Sequence, residues 1–290
     1  MLLWDGLHKT KRGVSVEAYT DFASVYDTFM DETPYEEWAE FIHQLIKEYG
    51  ISGQAAPGKE KDKSSASAET LSGSEALDSE RNLVLDLGCG TGSSALLLAK
   101  HTQGEIVALD LFPQFLEKLQ SRAEQQGVSK RVTTVVGSMD SLPFAESSFD
   151  AIWSEGAIYN VGFMRGVHEW FRFIKPGGYL AVTDASWLTD NRPKEIEEFW
   201  LDAYPEIDTI ANKTKQMAQA GYKDIHTFVL PDNCWETNFY QPQREAQRLF
   251  LQRHPNNLTA QELVRNQQRE AILYSQYKHY YGYVFYIGRK

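Results

Sequence analysis

The segment at residues 83–98 reads Leu83-Val84-Leu85-Asp86-Leu87-Gly88-Cys89-Gly90-Thr91-Gly92-Ser93-Ser94-Ala95-Leu96-Leu97-Leu98. Its apolar start is typical of a buried strand and its apolar end of a helix, so the glycines form the turn between them. Glycines let the backbone of such a turn approach a ligand closely, and the following helix N-terminus offers unpaired N–H groups. The segment therefore predicts a strand, a turn and a helix that together bind an anionic group of a ligand.

Outward from this segment, apolar strands and amphipathic helices alternate. The predicted strands are 83–87, 106–110, 132–136, 151–153, 179–183, 225–230 and 282–288. The predicted helices between them are 93–101, 113–126, 164–174 and 209–220. Continuous apolar strands separated by helices imply a parallel sheet that is covered on both faces. We expect an α/β fold with a doubly wound, mostly parallel, seven-stranded sheet.

Composition divides the rest of the chain. Residues 1–51 predict an N-terminal helical cap, because Thr33-Pro34-Tyr35-Glu36 combines an N-cap, a proline at the first helical position and a capping-box glutamate. Residues 52–80 are rich in Ser, Ala, Gly, Lys and Glu, which is typical of a flexible linker. We expect residues 81–290 to form the main domain, with a helical insertion at 231–280 before the last strand.

Charge and residue usage disfavour several classes of function. The formal net charge of the 290 residues is −11, whereas nucleic-acid binding relies on clustered Lys and Arg. The two cysteines, Cys89 and Cys234, form no CxxC motif and the histidines show no metal-ligand spacing, so we expect no metal site. No apolar run approaches the roughly 20 residues of a membrane helix, and no secretory segment is evident. We expect a cytoplasmic protein with no nucleic-acid or membrane partner.

The spacing of the glycines distinguishes between two kinds of ligand. A dinucleotide site needs the pattern G-x-G-x-x-G, whereas the glycines here are Gly88, Gly90 and Gly92, and position 93 is serine. Asp86 precedes them on the strand, where a carboxylate gains nothing from facing a pyrophosphate. S-adenosylmethionine (SAM) carries an ammonium group beside its carboxylate, so an acidic residue next to the turn suits it.

The segment resembles the first motif of class I SAM-dependent methyltransferases, which has the form D-x-G-x-G-x-G. The resemblance covers about residues 80–230 and implies a Rossmann-like sheet, with SAM as cofactor and S-adenosylhomocysteine (SAH) as product. Further motifs follow in order: 137–144 resembles the segment G-D-x-x-x-L-P-F with Ser138 in place of Asp, 149–153 resembles the fourth strand, and 175–180 resembles the turn into the fifth.

Asp110 ends the second strand, 18 residues beyond Gly92, where an acidic side chain can accept both ribose hydroxyls. Its alternative role is to cap the helix at Pro113. The resemblance implies a set of cofactor contacts formed by Tyr19, Asp86, Gly88, Cys89, Gly90, Thr91, Gly92, Asp110, Leu111, Ser138, Met139 and Glu155.

A narrower resemblance links 153–162, 186–190 and 202–208 to a subgroup of bacterial methyltransferases, and it extends through 230–235 and 280–283. In contrast, 21–27 and 34–38 resemble a different bacterial methyltransferase subgroup. Because the two resemblances point to different subgroups, neither of them indicates the acceptor molecule.

The loop after the fourth strand provides the catalytic candidates, Glu155 and Tyr159. Glu155 either holds the methionine ammonium of SAM or deprotonates an acceptor, and its alternative is a solvated carboxylate or helix cap. Tyr159 either faces the sulfonium or is an ordinary packed tyrosine. Asn160, Asp184 and Trp187 are the candidates on the acceptor side.

We expect a methyltransferase that moves a methyl group from SAM to a small molecule by in-line displacement. Three alternatives stay open: an NAD-dependent oxidoreductase, a non-catalytic SAM-binding module, and a protein or RNA methyltransferase. The sequence is compatible with a monomer or a homodimer.

Overall fold

The computed structural model of the chain describes residues 82–290. The predicted helical cap at 1–51, the predicted linker at 52–80 and the predicted cofactor contact Tyr19 lie outside these residues.

The described chain alternates strands and helices. The strands are β1 (Leu83–Leu87), β2 (Glu105–Asp110), β3 (Val132–Val136), β4 (Phe149–Ser154), β5 (Ile174–Trp187), β6 (Asp208–Thr209), β7 (Lys223–Val229) and β8 (Tyr281–Arg289). The helices are α1 (Ser93–His101), α2 (Pro113–Gln125), α3 (Phe163–Trp170), α4 (Lys194–Ala203), α5 (Ile210–Ala220), α6 (Gln241–Arg253) and α7 (Leu258–Tyr277). A one-turn helix at Asn233–Trp235 and a π-helical turn at Glu236–Tyr240 precede α6.

The strands form one sheet with the order β3-β2-β1-β4-β5-β8-β7, and β6 pairs with β5. β1 is parallel to both β2 and β4, with Asp86 in register with Ala108 on one side and Trp153 on the other. The chain therefore builds outward from β1 to β3 in one direction and from β4 to β5 in the other. This reversal places a topological switch point between β1 and β4, where ligands bind beyond the carboxyl ends of the strands. The predicted fold class is confirmed, with the two-residue β6 as an additional strand.

The described residues divide into two compact units. The first unit comprises 82–182, 216–226 and 286–290, and the second comprises 183–215 and 227–285. In the first unit the buried faces of the central strands supply the core, including Leu85, Leu87, Ile106, Leu109 and Ile152, each with none of its surface exposed. Burial of such a side chain contributes about 1.5–3 kcal/mol to folding, so the position of β1 and the turn that follows it is well determined.

Aromatic rings dominate the core of the second unit. The indole of Trp235 stacks on Tyr274 with ring centroids 4.7 Å apart and on Tyr283 at 4.8 Å. Tyr281 is fully buried and meets Trp200 edge-on at 4.9 Å. Tyr274, Tyr281 and Tyr283 therefore have a role in packing the second unit.

Candidate functional site

The glycine turn between β1 and α1 combines two tightly packed glycines with one that faces open space. Gly88, Gly90 and Gly92 all have positive φ, at 68°, 55° and 92°. A methyl group on Gly88 would lie 2.6 Å from the Cβ of Ala157, and one on Gly92 would lie 2.0 Å from a methyl carbon of Leu119. At Gly90, by contrast, no heavy atom of residues 82–290 other than those of Gly90 and its two neighbours lies within 4 Å of that position. Within these residues the turn is therefore tightly packed at Gly88 and Gly92 and has free space at Gly90.

Asp110, the last residue of β2, is joined to the same turn. One of its carboxylate oxygens accepts the backbone N–H of Gly90 at 2.9 Å, and the other accepts the N–H of Phe112 at 3.0 Å. Burial raises the pKa of this carboxyl group, and the backbone N–H donors oppose that effect. The backbone N–H of Leu111 is a third such donor, and because the two oxygens together have about four lone pairs, the carboxylate retains capacity for a further hydrogen bond.

Asp86 lies in β1 directly below the turn and is buried. Its Oδ2 atom has no hydrogen-bond partner among residues 82–290. Burial, followed by the charges of Glu155 and Asp110, raises the pKa of this carboxyl group well above its usual value, while the backbone N–H of Ala95 acts in the opposite direction. An unpartnered buried carboxylate oxygen is costly, so Oδ2 of Asp86 is a candidate acceptor for a ligand donor.

Glu155 follows β4 and completes a group of three carboxylates. It is half-buried, and its Oε2 accepts the hydroxyl of Ser94 from the first turn of α1 at 2.8 Å. Burial raises the pKa of Glu155, and the hydrogen bonds from Ser94 and Trp153 lower it. We call Asp86, Asp110 and Glu155 the acidic triad. The charges of the other two raise the pKa of Asp86, so the triad favours a cationic ligand.

The thiol of Cys89 lies in the turn, is buried, and is a free cysteine. Burial and the charges of Asp86 and Asp110 raise its pKa well above the usual value. A thiol in this state is a poor nucleophile. The residues from 82 onward contain no group of His, Cys, Asp and Glu that could hold a metal ion.

The segments after β2 and β3 supply apolar and polar contacts beside the turn. Leu111 is 57% exposed although it directly follows the buried Asp110. The sulfur of Met139 would lie 3.3 Å from a methyl group on Gly88, so this side chain packs near the turn. Ser138 is half-buried, and its hydroxyl accepts the backbone N–H of Asp140 at 3.2 Å.

Thr91 is buried in the turn, and its carbonyl and hydroxyl oxygens both accept hydrogen bonds from Arg122 of α2, at 3.2 Å and 3.3 Å. The structure therefore brings nearly all the described cofactor candidates to one end of the sheet.

The loop after β4 holds Tyr159 and Asn160 in the single turn Ile158–Asn160. Tyr159 is half-buried, whereas Asn160 is exposed. The amide of Asn160 donates to the carbonyl of Ala157 at 3.0 Å, which stabilises the turn itself. The role of both residues toward an acceptor stays a prediction.

Asp184 and Trp187, the remaining acceptor-side candidates, lie in the second unit. Asp184 is fully buried, and its Oδ2 accepts hydrogen bonds from Lys213 and from the hydroxyl of Tyr204, the latter at 2.8 Å. Burial raises the pKa of Asp184 and lowers that of Lys213, and in each case the partner's charge opposes the shift. Trp187 is buried, with the guanidinium of Arg192 4.4 Å from its ring.

Sequence reasoning missed Lys213, Tyr204 and Ser94 as partners of the candidate residues. A lysine in an amphipathic helix is normally exposed, so nothing in the pattern of α5 indicated that Lys213 would be buried. The contact between Ser94 and Glu155 joins residues 61 positions apart, and their pairing depends on the order of the strands.

No helix within the described part of the chain has the length and apolar character needed to cross a membrane.

Comparison with known proteins identifies the region that carries the site. Residues 84–178 match a family model described as a methyltransferase domain. The chain is 29% identical over 156 residues to a sterol 24-C-methyltransferase of Pneumocystis carinii, covering 51% of this chain and 41% of that protein. It is 35% identical over 116 residues to a sarcosine/dimethylglycine N-methyltransferase of Aphanothece halophytica, covering 40% and 42%. The chain thus spans less than half the length of these curated relatives.

Solved structures share the fold. A SAM-dependent methyltransferase from Geobacter sulfurreducens, crystallised with SAH, matches with a TM-score of 0.62 and 20% identity over 71% of this chain and 84% of that one. A second such enzyme from Thiobacillus denitrificans, also crystallised with SAH, matches with a TM-score of 0.63 and 19% identity, covering 73% and 86%. At these identities the likeness establishes a common architecture.

Proposed function

We propose that this chain, whose residues 84–178 match a methyltransferase-domain family model, is a methyltransferase that binds SAM at the glycine turn and transfers its methyl group to a small molecule. The observation that carries the proposal is the buried Oδ2 of Asp86, which no donor within 82–290 satisfies, beside two further carboxylates. SAM brings an ammonium and a sulfonium to such a site. The pyrophosphate of a dinucleotide would instead bring negative charge to the acidic triad.

The residues of the turn fit the parts of SAM. Asp110 is placed to accept a hydrogen bond from the ribose, because its two oxygens offer about four lone pairs and three backbone N–H groups, those of Gly90, Phe112 and Leu111, donate to them. Asp86 and Glu155 would hold the ammonium group. The space beside Gly90 leaves room for the methionine portion of SAM. The dipole at the N-terminus of α1 would stabilise the carboxylate of that portion by about 0.3–1 kcal/mol. The exposed Leu111 offers an apolar surface to the adenine.

When bound, SAM supplies an electrophilic methyl group. The contribution of the protein is then mainly positioning, which is worth roughly 7–11 kcal/mol in well-oriented reactions. The alternative role of Glu155, in which Asp86 alone holds the ammonium, is to accept a proton from an acceptor, because burial brings its pKa closer to neutral pH than that of an exposed carboxylate. Tyr159 is the second catalytic candidate.

A small-molecule acceptor is supported by the acidity of the chain and by the relatives, whose names specify sterols and sarcosine or dimethylglycine as acceptors. Asn160, Asp184 and Trp187 remain the residues proposed to contact it. A cytoplasmic location, the absence of nucleic-acid and membrane partners, and a monomeric or homodimeric state remain predictions.

Incubation with methyl-labelled SAM tests the proposal. The protein is offered a cell extract, sarcosine, dimethylglycine or a sterol as acceptor. Mass spectrometry then identifies the labelled product. We expect label on a small molecule and a loss of that label in Asp110→Ala. Binding of SAM without methylation of any of these acceptors would favour the non-catalytic alternative. Label on protein or RNA would contradict the proposal of a small-molecule acceptor.

A further inference from the structure

The segment after β3 is held from α3 by a buried indole. Trp170, the last residue of α3, is 1% exposed, and its Nε1–H donates to the backbone carbonyl of Met139 at 3.3 Å. The site residues do not include Trp170, and it lies 31 positions from its partner. A buried indole that donates to an irregular segment determines where that segment lies, because the ring itself is locked by its surroundings.

Met139 passes this constraint to the glycine turn. Its sulfur would lie 3.3 Å and its terminal methyl 3.5 Å from a methyl group added to Gly88, so the Met139 side chain occupies the space beside this glycine. Gly88 donates its N–H to the carbonyl of Leu109 at 2.9 Å, directly before the strand end that carries Asp110. A shift of Met139 therefore acts on the part of the turn that is joined to Asp110.

A second contact from α3 reaches the same segment with a different character. Arg165 pairs with Asp140 at 2.6 Å, but both side chains are about half exposed, at 48% and 51%. Exposed pairs of this kind contribute little, because water and salt screen the two charges. The indole is thus the stronger of the two contacts and the one that acts on Met139 itself.

We infer that Trp170 is a positioning residue for the cofactor, acting through the carbonyl of Met139 to hold its thioether against Gly88. The inference rests on the proposed function, because the ligand it concerns is SAM. Trp170 acts on the ligand only indirectly, through Met139 and Gly88. Its effect is on affinity, through the geometry of the turn.

The test measures the dissociation constant of SAH by calorimetry for the full chain and for Trp170→Phe, which keeps a buried ring and removes the donor. We expect the affinity to weaken by about threefold to at most about tenfold, the limit in which the full contribution of one hydrogen bond is felt in the bound state. Two controls are matched to it. Trp200→Phe removes an equally buried indole from the second unit, and Arg165→Gln removes the exposed contact to the same segment. We expect both to stay within about twofold of the wild-type affinity.

A double-mutant cycle with Met139→Ala separates positioning from general destabilisation. If Trp170 acts through Met139, the two substitutions together weaken binding by less than the product of their separate effects. Full multiplicativity, or a wild-type affinity in Trp170→Phe, would overturn the inference. Failure of the wild-type protein to bind SAH would instead refute the proposed function.

A measurement on the wild-type protein covers the case in which Trp170→Phe does not fold. With ¹⁵N-labelled indoles assigned from sequential spectra, we expect SAH to shift the Nε1–H resonance of Trp170 and to leave that of Trp200 in place. An unmoved Trp170 resonance at saturating SAH would overturn the inference.

Discussion

Gly90→Ala separates the effect of backbone strain from the effect of an occupied ligand site, because Gly127 provides a matched control. Both glycines have positive φ, at 55° and 71°, and for both no heavy atom in the described residues lies within 4 Å of an added methyl. Gly127 follows the end of α2, whereas Gly90 is in the glycine turn. The left-handed conformation costs an alanine about 1–2 kcal/mol, offset by about 0.4–1 kcal/mol from the unfolded chain. Both variants should therefore lose about 1 kcal/mol of unfolding free energy.

The two variants should differ in ligand binding. A methyl group at Gly90 projects into the space assigned to SAM, and overpacking of that kind costs about 1–3 kcal/mol, or about 5-fold to 150-fold in affinity. At SAH near 100 times the wild-type Kd, the ligand stabilises the wild-type protein and Gly127→Ala by about 2.7 kcal/mol. The same concentration should stabilise Gly90→Ala by only about 0.3–1.8 kcal/mol.

Chemical unfolding with and without SAH measures the unfolding free energy and the ligand stabilisation of the wild-type protein and of both variants. Equal ligand stabilisation in Gly90→Ala and Gly127→Ala would refute the assignment of the space beside Gly90 to the ligand. A loss of stabilisation in both would show that strain anywhere in the first unit is sufficient to weaken binding.

Two further predictions concern buried carboxylates. Asp110→Ala should abolish the thermal shift caused by SAM or SAH, because it removes the proposed ribose acceptor and the partner of the Gly90 N–H. Differential scanning fluorimetry checks this, and an undiminished shift would contradict it. Lys213→Met should cost about 3–5 kcal/mol at pH 7, because it leaves the buried carboxylate of Asp184 without its cation. The pKa of Asp184, already raised by burial, should rise further, so that protonation relieves the cost as the pH falls toward 5. Urea unfolding at both pH values measures it, and a penalty that grows with acidity would contradict the reasoning.

The sequence predicted the bounds of those elements that begin and end at clear local signals. β1 and α1 match the predicted bounds because an apolar run, three glycines and a second apolar run follow one another. β5 is longer than the predicted 179–183 and begins at Ile174. Its Lys175-Pro176-Gly177-Gly178 start is typical of a turn, but pairing of Ile174 with Phe149 of β4 extends the strand through it.

α4 was not predicted, although Pro193 precedes it and Glu195 and Glu197 occupy its first turn, which are helix-start signals. The two-residue β6 depends on pairing with Ser186 and Trp187 and carries no local signal. Such pairings arise from tertiary structure, which no local pattern contains.

The same distinction applies to the site. The positions of Asp86 and Asp110 followed from their spacing around the glycine turn, because both residues end or occupy predicted strands. Three features of the site depend on the strand order and on the packing of the helices, so no local pattern predicts them. They are the unpartnered Oδ2 of Asp86, the hydrogen bond between Ser94 and Glu155, and the hydrogen bond from the indole of Trp170 to the carbonyl of Met139.

Titration calorimetry of the wild-type chain with SAM, SAH and NAD tests whether the glycine turn and the acidic triad bind SAM. We expect saturable binding of SAM and SAH at one site per chain, and no binding of NAD at the same concentrations. Absence of heat with both SAM and SAH, or saturable binding of NAD that excludes them, would contradict it.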